Sequence, residues 1–141
     1  MKLKTLRIPF YLFIIMVSFV SCTLDENVDP DTGDPRDAVT GSWRFNESPA
    51  ARNVDASYTV TITNDAGNSS QVMLRNFANA GGNYSAYGIV TSGRITVPSQ
   101  EMAPGFEVEG SGDIQSLSSM NWEYTIVAGG DMESYTATAT K

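Results

Sequence analysis

Glu107 and Glu109 form the acidic pair whose spacing could support catalysis. Residues two apart on a β-strand share one face and lie about 7 Å apart, within the range of carboxyl separations found in glycosidases. Phe106 and Val108 alternate with the two glutamates and form an apolar side that is typical of a face turned to the core. We therefore expect both glutamates to face water, and we predict that the protein is not an enzyme.

Other catalytic and metal-binding groups are scarce. The chain has no histidine and one cysteine, which excludes Ser-His-Asp and Cys-His nucleophile pairs and imidazole or thiolate zinc sites. Oxygens for calcium could come from Asn64, Asp65 and Asn68, or from Asp131 and Glu133, but neither group has the spacing of an EF-hand loop, and we interpret them as turn residues. We predict no metal and no cofactor. The formal net charge of −7 also argues against nucleic acid as a partner.

The single cysteine, Cys22, follows a basic start and an apolar run from Ile8 to Val20. That run is shorter than the roughly 20 residues needed to span a bilayer, and it is typical of a signal peptide. Residues 19–22, Phe-Val-Ser-Cys, resemble the lipobox of bacterial lipoproteins. The resemblance implies that residues 1–21 are removed and that Cys22 is acylated with palmitate-type chains, which would anchor the protein to a membrane. The alternative is an ordinary secretory signal that leaves a free thiol.

The segment after Cys22 is acidic and lacks large apolar side chains. Between residues 23 and 37 it has six acidic residues, one basic residue (Arg36) and two prolines. Such a segment buries too little surface to offset the entropy of ordering, so we predict a flexible tether over residues 22–37. Acidic residues after the cysteine resemble the surface-export signals of some Gram-negative lipoproteins, which implies an outer-membrane protein exposed on the cell. A spacer without a sorting role is the alternative.

Residues 38–141 are predicted to form one all-β domain. Thr, Val, Tyr and Ile occur in short alternating runs between turn residues, without a sustained helical period. Ser92 and Gly93 should close a hairpin, and Pro98 should end the second strand of that hairpin or lie at a sheet edge. The eight predicted strands are residues 39–46, 57–63, 70–77, 87–91, 94–97, 106–110, 121–127 and 134–140. This pattern favours a small eight-stranded antiparallel meander barrel, with a β-sandwich as the alternative.

The first predicted strand opens with Gly41, Ser42 and Trp43. These residues resemble the Gly-x-Trp that begins the first strand of lipocalin-like, calycin-type barrels. The resemblance implies a small bacterial lipoprotein with a lipocalin-like barrel, whose chain enters near the closed end. In that family an arginine of the last strand commonly packs on the tryptophan, and the nearest cation here is Lys141.

The predicted inner face also bears on ligand binding. Ala137 and Ala139 are small, whereas the neighbouring strand offers Trp122 and Tyr124. The alanines could leave space for a ligand or make room for the larger side chains. Because the strands are short, we expect a filled barrel that binds through its loops and outer faces.

A segment at residues 76–87 interleaves Phe77, Tyr84 and Tyr87 with asparagines around a glycine pair. Aromatic faces stack on sugars or apolar rings, and side-chain amides bind hydroxyl groups. We therefore predict Phe77, Tyr84 and Tyr87 as ligand-binding residues. The alternative is that these aromatics cap one end of the barrel.

These patterns favour a non-enzymatic, membrane-anchored module of the bacterial envelope that binds a glycan, a small apolar molecule or a protein. The alternative is a structural or accessory subunit of an outer-membrane protein complex. In that case the strand at 70–77 would contact the larger protein through Met73, Arg75 and Phe77, which alternate with Val72 and Leu74.

Overall fold

A computed structural model of the protein describes residues 33–50 and 55–141, so the predicted signal peptide, Cys22 and most of the predicted tether lie outside the described residues. One compact unit spans Thr32–Lys141. Its strands are β1 (Gly41–Pro49), β2 (Ala56–Asn64), β3 (Gln71–Arg75), β4 (Ser85–Thr91), β5 (Arg94–Ala103), β6 (Phe106–Ser116), β7 (Ser119–Ala128) and β8 (Asp131–Thr140). A 3₁₀ segment, Phe77–Asn79, lies between β3 and β4. Among residues 33–50 and 55–141, no helix is long and apolar enough to cross a membrane.

The eight strands form a closed barrel in which each strand is antiparallel to the strand that follows it. β8 returns to pair with β1, with Arg44 opposite Thr140 and Glu47 opposite Ala137. Closure pairs both edges of the sheet, and exposed edges are what promote association between sheets. The predicted meander barrel is confirmed, and the sandwich alternative is wrong.

The interior of the barrel is filled by side chains from the alternating inner faces. Ala137 lies directly opposite Trp122, and Ala139 lies opposite Phe45, so each alanine makes room for a large ring. The largest fully buried side chains are Trp43, Trp122, Phe45, Phe77, Ile62, Leu74, Ile95 and Met120. The expectation of a filled barrel is met.

Two glycines on the inner face of β6 allow the rings of β7 to pack inside. Gly112 lies opposite Trp122 and Gly110 lies opposite Tyr124. A Cβ atom on Gly112 would lie 2.3 Å from Cε2 of Trp122, and one on Gly110 would lie 2.4 Å from Cβ of Tyr124. No side chain could be added at either position without displacing these aromatics.

The barrel has two ends, which differ in their contents. We call one the closed end; it holds the turns at 65–70, 92–93 and 117–118 together with residues 34–40. We call the other the mouth; it holds the turns at 104–105 and 129–130 and the 3₁₀ segment. Each strand runs from one end to the other.

Residues 34–40 pack on the closed end and begin the folded unit ahead of Ala38, where the domain was expected to begin. Nη1 of Arg36 donates to the carbonyl oxygens of Asp65 and Asn68, at 3.1 and 2.8 Å. The Arg36 guanidinium also binds Asp34 and holds the pKa of that carboxyl below its usual value. An arginine that binds turn carbonyls has gained specific partners, so this part of the acidic segment is ordered against the barrel.

Trp43 anchors the closed end from inside. Its Nε1 donates to the carbonyl oxygen of Val39 at 2.8 Å, and both residues are fully buried. Nζ of Lys141 lies 4.8 Å from the centroid of the Trp43 ring. The contact between Lys141 and Trp43 is therefore a cation–π interaction.

Several strand ends differ from expectation; β6, for example, continues to Ser116, beyond its predicted end at residue 110. β3 stops at Arg75, so Phe77 does not continue the outward face of that strand, and that prediction is wrong. β1 continues past Asn46 to Pro49. Pro98 does not end β5 but lies within it, at a shift of register between Val97 and Gln100.

The side chain of Gln100 compensates for the ladder that β4 and β5 lose beyond Pro98. Its Oε1 accepts from the Tyr87 amide at 2.9 Å, and its Nε2 donates to the Tyr87 carbonyl at 2.9 Å. A proline cannot donate to the ladder, and a side-chain amide carries the same donor and acceptor as a peptide group.

Candidate functional site

The Glu107 and Glu109 pair lies on the outer face of β6. Both side chains are exposed, and Val108 between them is 1% exposed on the inner face. The arrangement agrees with the expectation that these glutamates face water.

The three aromatics predicted to bind ligand do not lie together. Phe77 is fully buried inside the barrel end. Tyr84 is 39% exposed in the loop before β4. Tyr87 lies half-buried on the outer face of β4, opposite Met73. Phe77 therefore caps the barrel from within, as in the alternative interpretation, while the two tyrosines belong to separate surfaces.

Phe77 is turned inward by a short run of left-handed backbone. Asn76, Ala78 and Asn79 have φ angles of 65°, 54° and 55°. The Asn76 side chain holds this run in place, since Nδ2 donates to the Thr59 carbonyl and Oδ1 accepts from the Gly81 amide, both at 2.8 Å. Left-handed backbone at a non-glycine residue costs on the order of 1 kcal/mol and is common beside functional sites.

The ring of Phe77 closes the barrel beneath the mouth. Its centroid lies 5.0 Å from that of Tyr124, 5.3 Å from that of Trp122 and 6.2 Å from that of Phe45. Contacts of this kind stabilise aromatic pairs beyond the area that they bury. The ring separates the mouth from the rest of the core.

Glu47 is the buried acidic residue of the described part of the chain, with 7% of its surface exposed. The hydroxyl of Tyr58 donates to its Oε2 at 3.0 Å, and the hydroxyl of Tyr124 donates to the same oxygen. The two hydroxyls also lie 2.9 Å from each other. Three side chains from β1, β2 and β7 thus form one polar cluster inside an apolar barrel.

Burial strongly raises the pKa of both Tyr58 and Tyr124, because a phenolate would lose its hydration inside the barrel. Glu47 raises both values further, since a carboxylate opposes a second negative charge and accepts hydrogen bonds from the neutral hydroxyls. Both tyrosines are therefore protonated donors at neutral pH. Their role is to hold the Glu47 carboxyl in place.

The oxygens of Glu47 are unequally satisfied. Both tyrosine hydroxyls reach Oε2, and within the described residues no hydrogen bond reaches Oε1. Glu47 also lines a cavity of about 390 Å³ at the mouth. An oxygen of a largely buried carboxyl that has no hydrogen-bond partner among the described residues and borders a cavity is available to a ligand.

This mouth cavity has walls that combine polar and apolar side chains, and its rim is acidic. The residues that line it with Glu47 are Ala78, Asn79, Phe106, Ile126, Ala128, Asp131, Glu133 and Tyr135. Its volume lies in the range typical of small-molecule sites, although toward the lower end. Tyr135 also stacks on Tyr124, with 5.5 Å between the ring centroids, and its hydroxyl donates to Glu133.

Sequence reasoning did not identify Glu47 as a site residue. Trp43, Phe45 and Glu47 alternate, so extending the first strand by one residue would have placed Glu47 on the inner face. The strand was predicted to end at Asn46, which hid that signal. A glutamate that continues an inward apolar series is the pattern that could have revealed this site.

Two other features do not form comparable sites. A groove of about 620 Å³ runs over the outer faces of β5 to β8; it combines apolar surface with hydroxyl and charged side chains such as Arg94 and Glu109, and none of the charged residues that line it is buried. Asp65 and Asn68 accept hydrogen bonds from the amides of Gly67 and Ser70, which is turn geometry. Among the described residues, no group of three or more histidine, cysteine or acidic residues is placed to hold a metal ion.

The fold resembles known β-barrels, whereas the sequence itself has no match. No protein-family model matches the chain, and no curated protein matches it significantly. Among the solved structures that match is a redesigned β-barrel, with a TM-score of 0.55 and 12% sequence identity over 78% of this chain and 96% of that one. At this identity the likeness shows the fold alone, and it agrees with the closed antiparallel barrel described above.

Proposed function

We propose that this protein is a lipid-anchored, non-enzymatic binding module of the bacterial envelope and that it binds its ligand at the mouth. The observation that carries the proposal is the buried Glu47 side chain, which has one carboxyl oxygen without a hydrogen-bond partner among the described residues, beside a cavity of about 390 Å³. Burying a carboxyl in a barrel core is costly, and such groups are commonly retained where they bind something.

The position of the chain's N-terminal segment supports the same site. Residues 34–40 lie against the closed end, so a chain anchored through Cys22 would reach the barrel at the end opposite the mouth. The chain would then enter the folded unit without covering the mouth. This arrangement suits a module that meets a soluble molecule or a partner beyond the membrane.

The lipid anchor is tested by mass spectrometry of the mature protein extracted from bacterial membranes. We expect a chain that begins at Cys22 and carries acyl groups, and a Cys22→Ser variant that leaves the membrane fraction. An unmodified Cys22, or a mature chain that begins elsewhere, would refute the anchor.

The binding site is tested by screening glycans, small apolar molecules and amines against the folded domain. Glu47→Gln should weaken binding at the mouth while Tyr84→Ala and Tyr87→Ala leave it unchanged. If the two tyrosine variants lose binding and Glu47→Gln does not, the site lies on the loop and outer face instead.

A second candidate function is an accessory subunit of an outer-membrane complex, and one observation favours it. Met73 and Tyr87 lie opposite each other on the outer face of β3 and β4, with Ile89 beside them, and all three are half-buried apolar side chains. The inner faces of the same strands are buried, so both faces are partly apolar. Cross-linking in intact cells would yield a defined protein adduct that Met73→Lys abolishes; without that adduct this candidate fails.

A further inference from the structure

The residues that line the mouth cavity indicate the chemical class of its ligand. This inference rests on the function proposed above. We infer that the ligand is an organic ammonium compound: a protonated amine attached to an apolar body of about the size of one aromatic ring. The Glu47 carboxyl would bind the ammonium group, and the walls of the cavity would hold the apolar body.

The charge around the cavity favours a cation. Glu47 lies at its inner side and Asp131 at its rim, and no lysine or arginine occurs among the described residues that line it. Burial of a carboxylate is unfavourable where the described walls offer it no positive charge, so a ligand that supplies one gains the most from this site. An anionic ligand would instead meet like charge at close range.

The hydrogen bonds of Glu47 favour a ligand that donates a hydrogen bond to its Oε1. Oε2 already accepts from Tyr58 and Tyr124, whereas Oε1 has no partner among the described residues. An ammonium N–H would donate to Oε1 and form a charge-assisted hydrogen bond, which is stronger than one from a neutral hydroxyl. The two tyrosine hydroxyls fix the carboxyl beforehand, so little ordering of Glu47 is needed on binding.

The walls favour an organic cation over a metal ion. Phe106 and Ile126 are partly buried and pack against the core beside the cavity, and Tyr135 presents a ring at its side. A metal ion needs several converging oxygens, whereas an alkyl or aryl group needs apolar contact and gains from the ring of Tyr135. These surfaces therefore match a small apolar body that carries a single amino group.

The test compares three probes of similar shape on the folded domain, measured by calorimetry at low ionic strength. The probes are 2-phenylethylammonium, the neutral 2-phenylethanol and the anionic phenylacetate. We expect the ammonium probe to bind at least about tenfold more tightly than the alcohol, as a charge-assisted bond predicts, and phenylacetate to bind more weakly than both. Equal affinities for the amine and the alcohol would overturn the inference, and this comparison needs no variant.

Glu47→Gln adds a matched test, since it keeps the shape of the side chain and removes its charge. It should abolish the preference for the amine over the alcohol. Glu109→Gln makes the same change on the outer face and should leave that preference intact. A Glu47→Gln variant that folds and still prefers the amine would contradict the inference, as would displacement of the amine by millimolar calcium.

The outcomes also separate this inference from the function on which it rests. If a neutral ligand binds and perturbs Glu47 while the amine does not, the mouth is a binding site but its ligand is not an ammonium compound. If no ligand in the wider screen binds at the mouth, the proposed site itself is refuted.

Discussion

The two ends of the barrel differ in how their polar groups are satisfied. At the closed end, the buried Trp43 indole donates to the Val39 carbonyl, and Arg36 binds carbonyls of the turn at 65–70. At the mouth, Glu47 accepts hydrogen bonds from two tyrosine hydroxyls and borders a cavity. The backbone differs as well. Left-handed non-glycine residues occur at the mouth, in the segment that holds Phe77. One end of the barrel thus has well-matched partners, and the other holds a buried acid and strained backbone. Such costs are expected where a protein binds something rather than where it is only held together.

The largest expected difference between the two ends is in the loss of stability when an aromatic side chain at each end is truncated to alanine. Trp43→Ala removes a fully buried ring and its hydrogen bond to Val39, and we expect it to lower the free energy of unfolding by about 3–5 kcal/mol. Tyr84→Ala at the mouth removes a side chain that is 39% exposed and should cost about 0.5 kcal/mol or less. Urea unfolding measures both. Equal losses would remove the contrast between the ends.

Alkaline pH should lower the free energy of unfolding through the two buried tyrosines at the mouth. The pKa values of Tyr58 and Tyr124 are raised in the folded state, so the folded protein keeps protons that the unfolded chain releases near pH 10. Their contribution to stability is complete below pH 10 and is lost as pH rises further, by about 1.4 kcal/mol per pH unit for each tyrosine. Urea unfolding from pH 8 to 11 checks this slope.

Substitution at the same tyrosines separates their effect from that of the exposed ones. Tyr58→Phe should reduce the alkaline slope by about half, since one of the two raised groups is gone. Tyr84→Phe should leave it unchanged. A slope that does not respond to Tyr58→Phe would show that the cluster around Glu47 does not control the response to pH.

The smallest expected effect concerns the strained backbone at the mouth. Asn79 is exposed and has a φ of 55°, which glycine adopts without penalty, so Asn79→Gly should stabilise the protein by about 0.5 kcal/mol. Asn46→Gly makes the same change on the outer face of β1 and should destabilise the protein by about 0.5–1 kcal/mol. The unfolding temperatures of the two variants should therefore shift in opposite directions. A loss of stability in both variants would contradict the claim that the backbone at Asn79 is strained.

The strands could be predicted because alternation is read directly from neighbouring residues. Tyr58, Val60 and Ile62 alternate with threonines, and this alternation places one face of β2 in the core whatever the rest of the fold does. Ser92 and Gly93 predicted their hairpin for a similar reason, since a two-residue turn demands particular residue types. Closure into a barrel followed from the number and the spacing of such strands.

The site was harder to predict because it depends on where strands end and on contacts distant in sequence. Phe77 would have faced outward if β3 had continued, but the left-handed Asn76 turns it into the barrel. Glu47 meets Tyr58 and Tyr124 from two other strands, and nothing near residue 47 in the sequence indicates them. Local sequence patterns predict which face of a strand is buried, whereas predicting this cluster requires the register of the strands in the closed barrel.

The central claim is that the mouth binds a ligand and the closed end does not. It is tested most directly by following the amide and indole N–H signals of the domain by NMR while 2-phenylethylammonium is added. The chain has two tryptophans: the Trp43 indole is bonded to Val39 at the closed end, whereas the Trp122 indole is buried without a hydrogen-bond partner among the described residues and packs on Phe77. We predict saturable shifts for Glu47, Ala78 and the Trp122 indole, with the Trp43 indole unmoved; shifts centred on Trp43, or spread evenly over both ends, would contradict the claim.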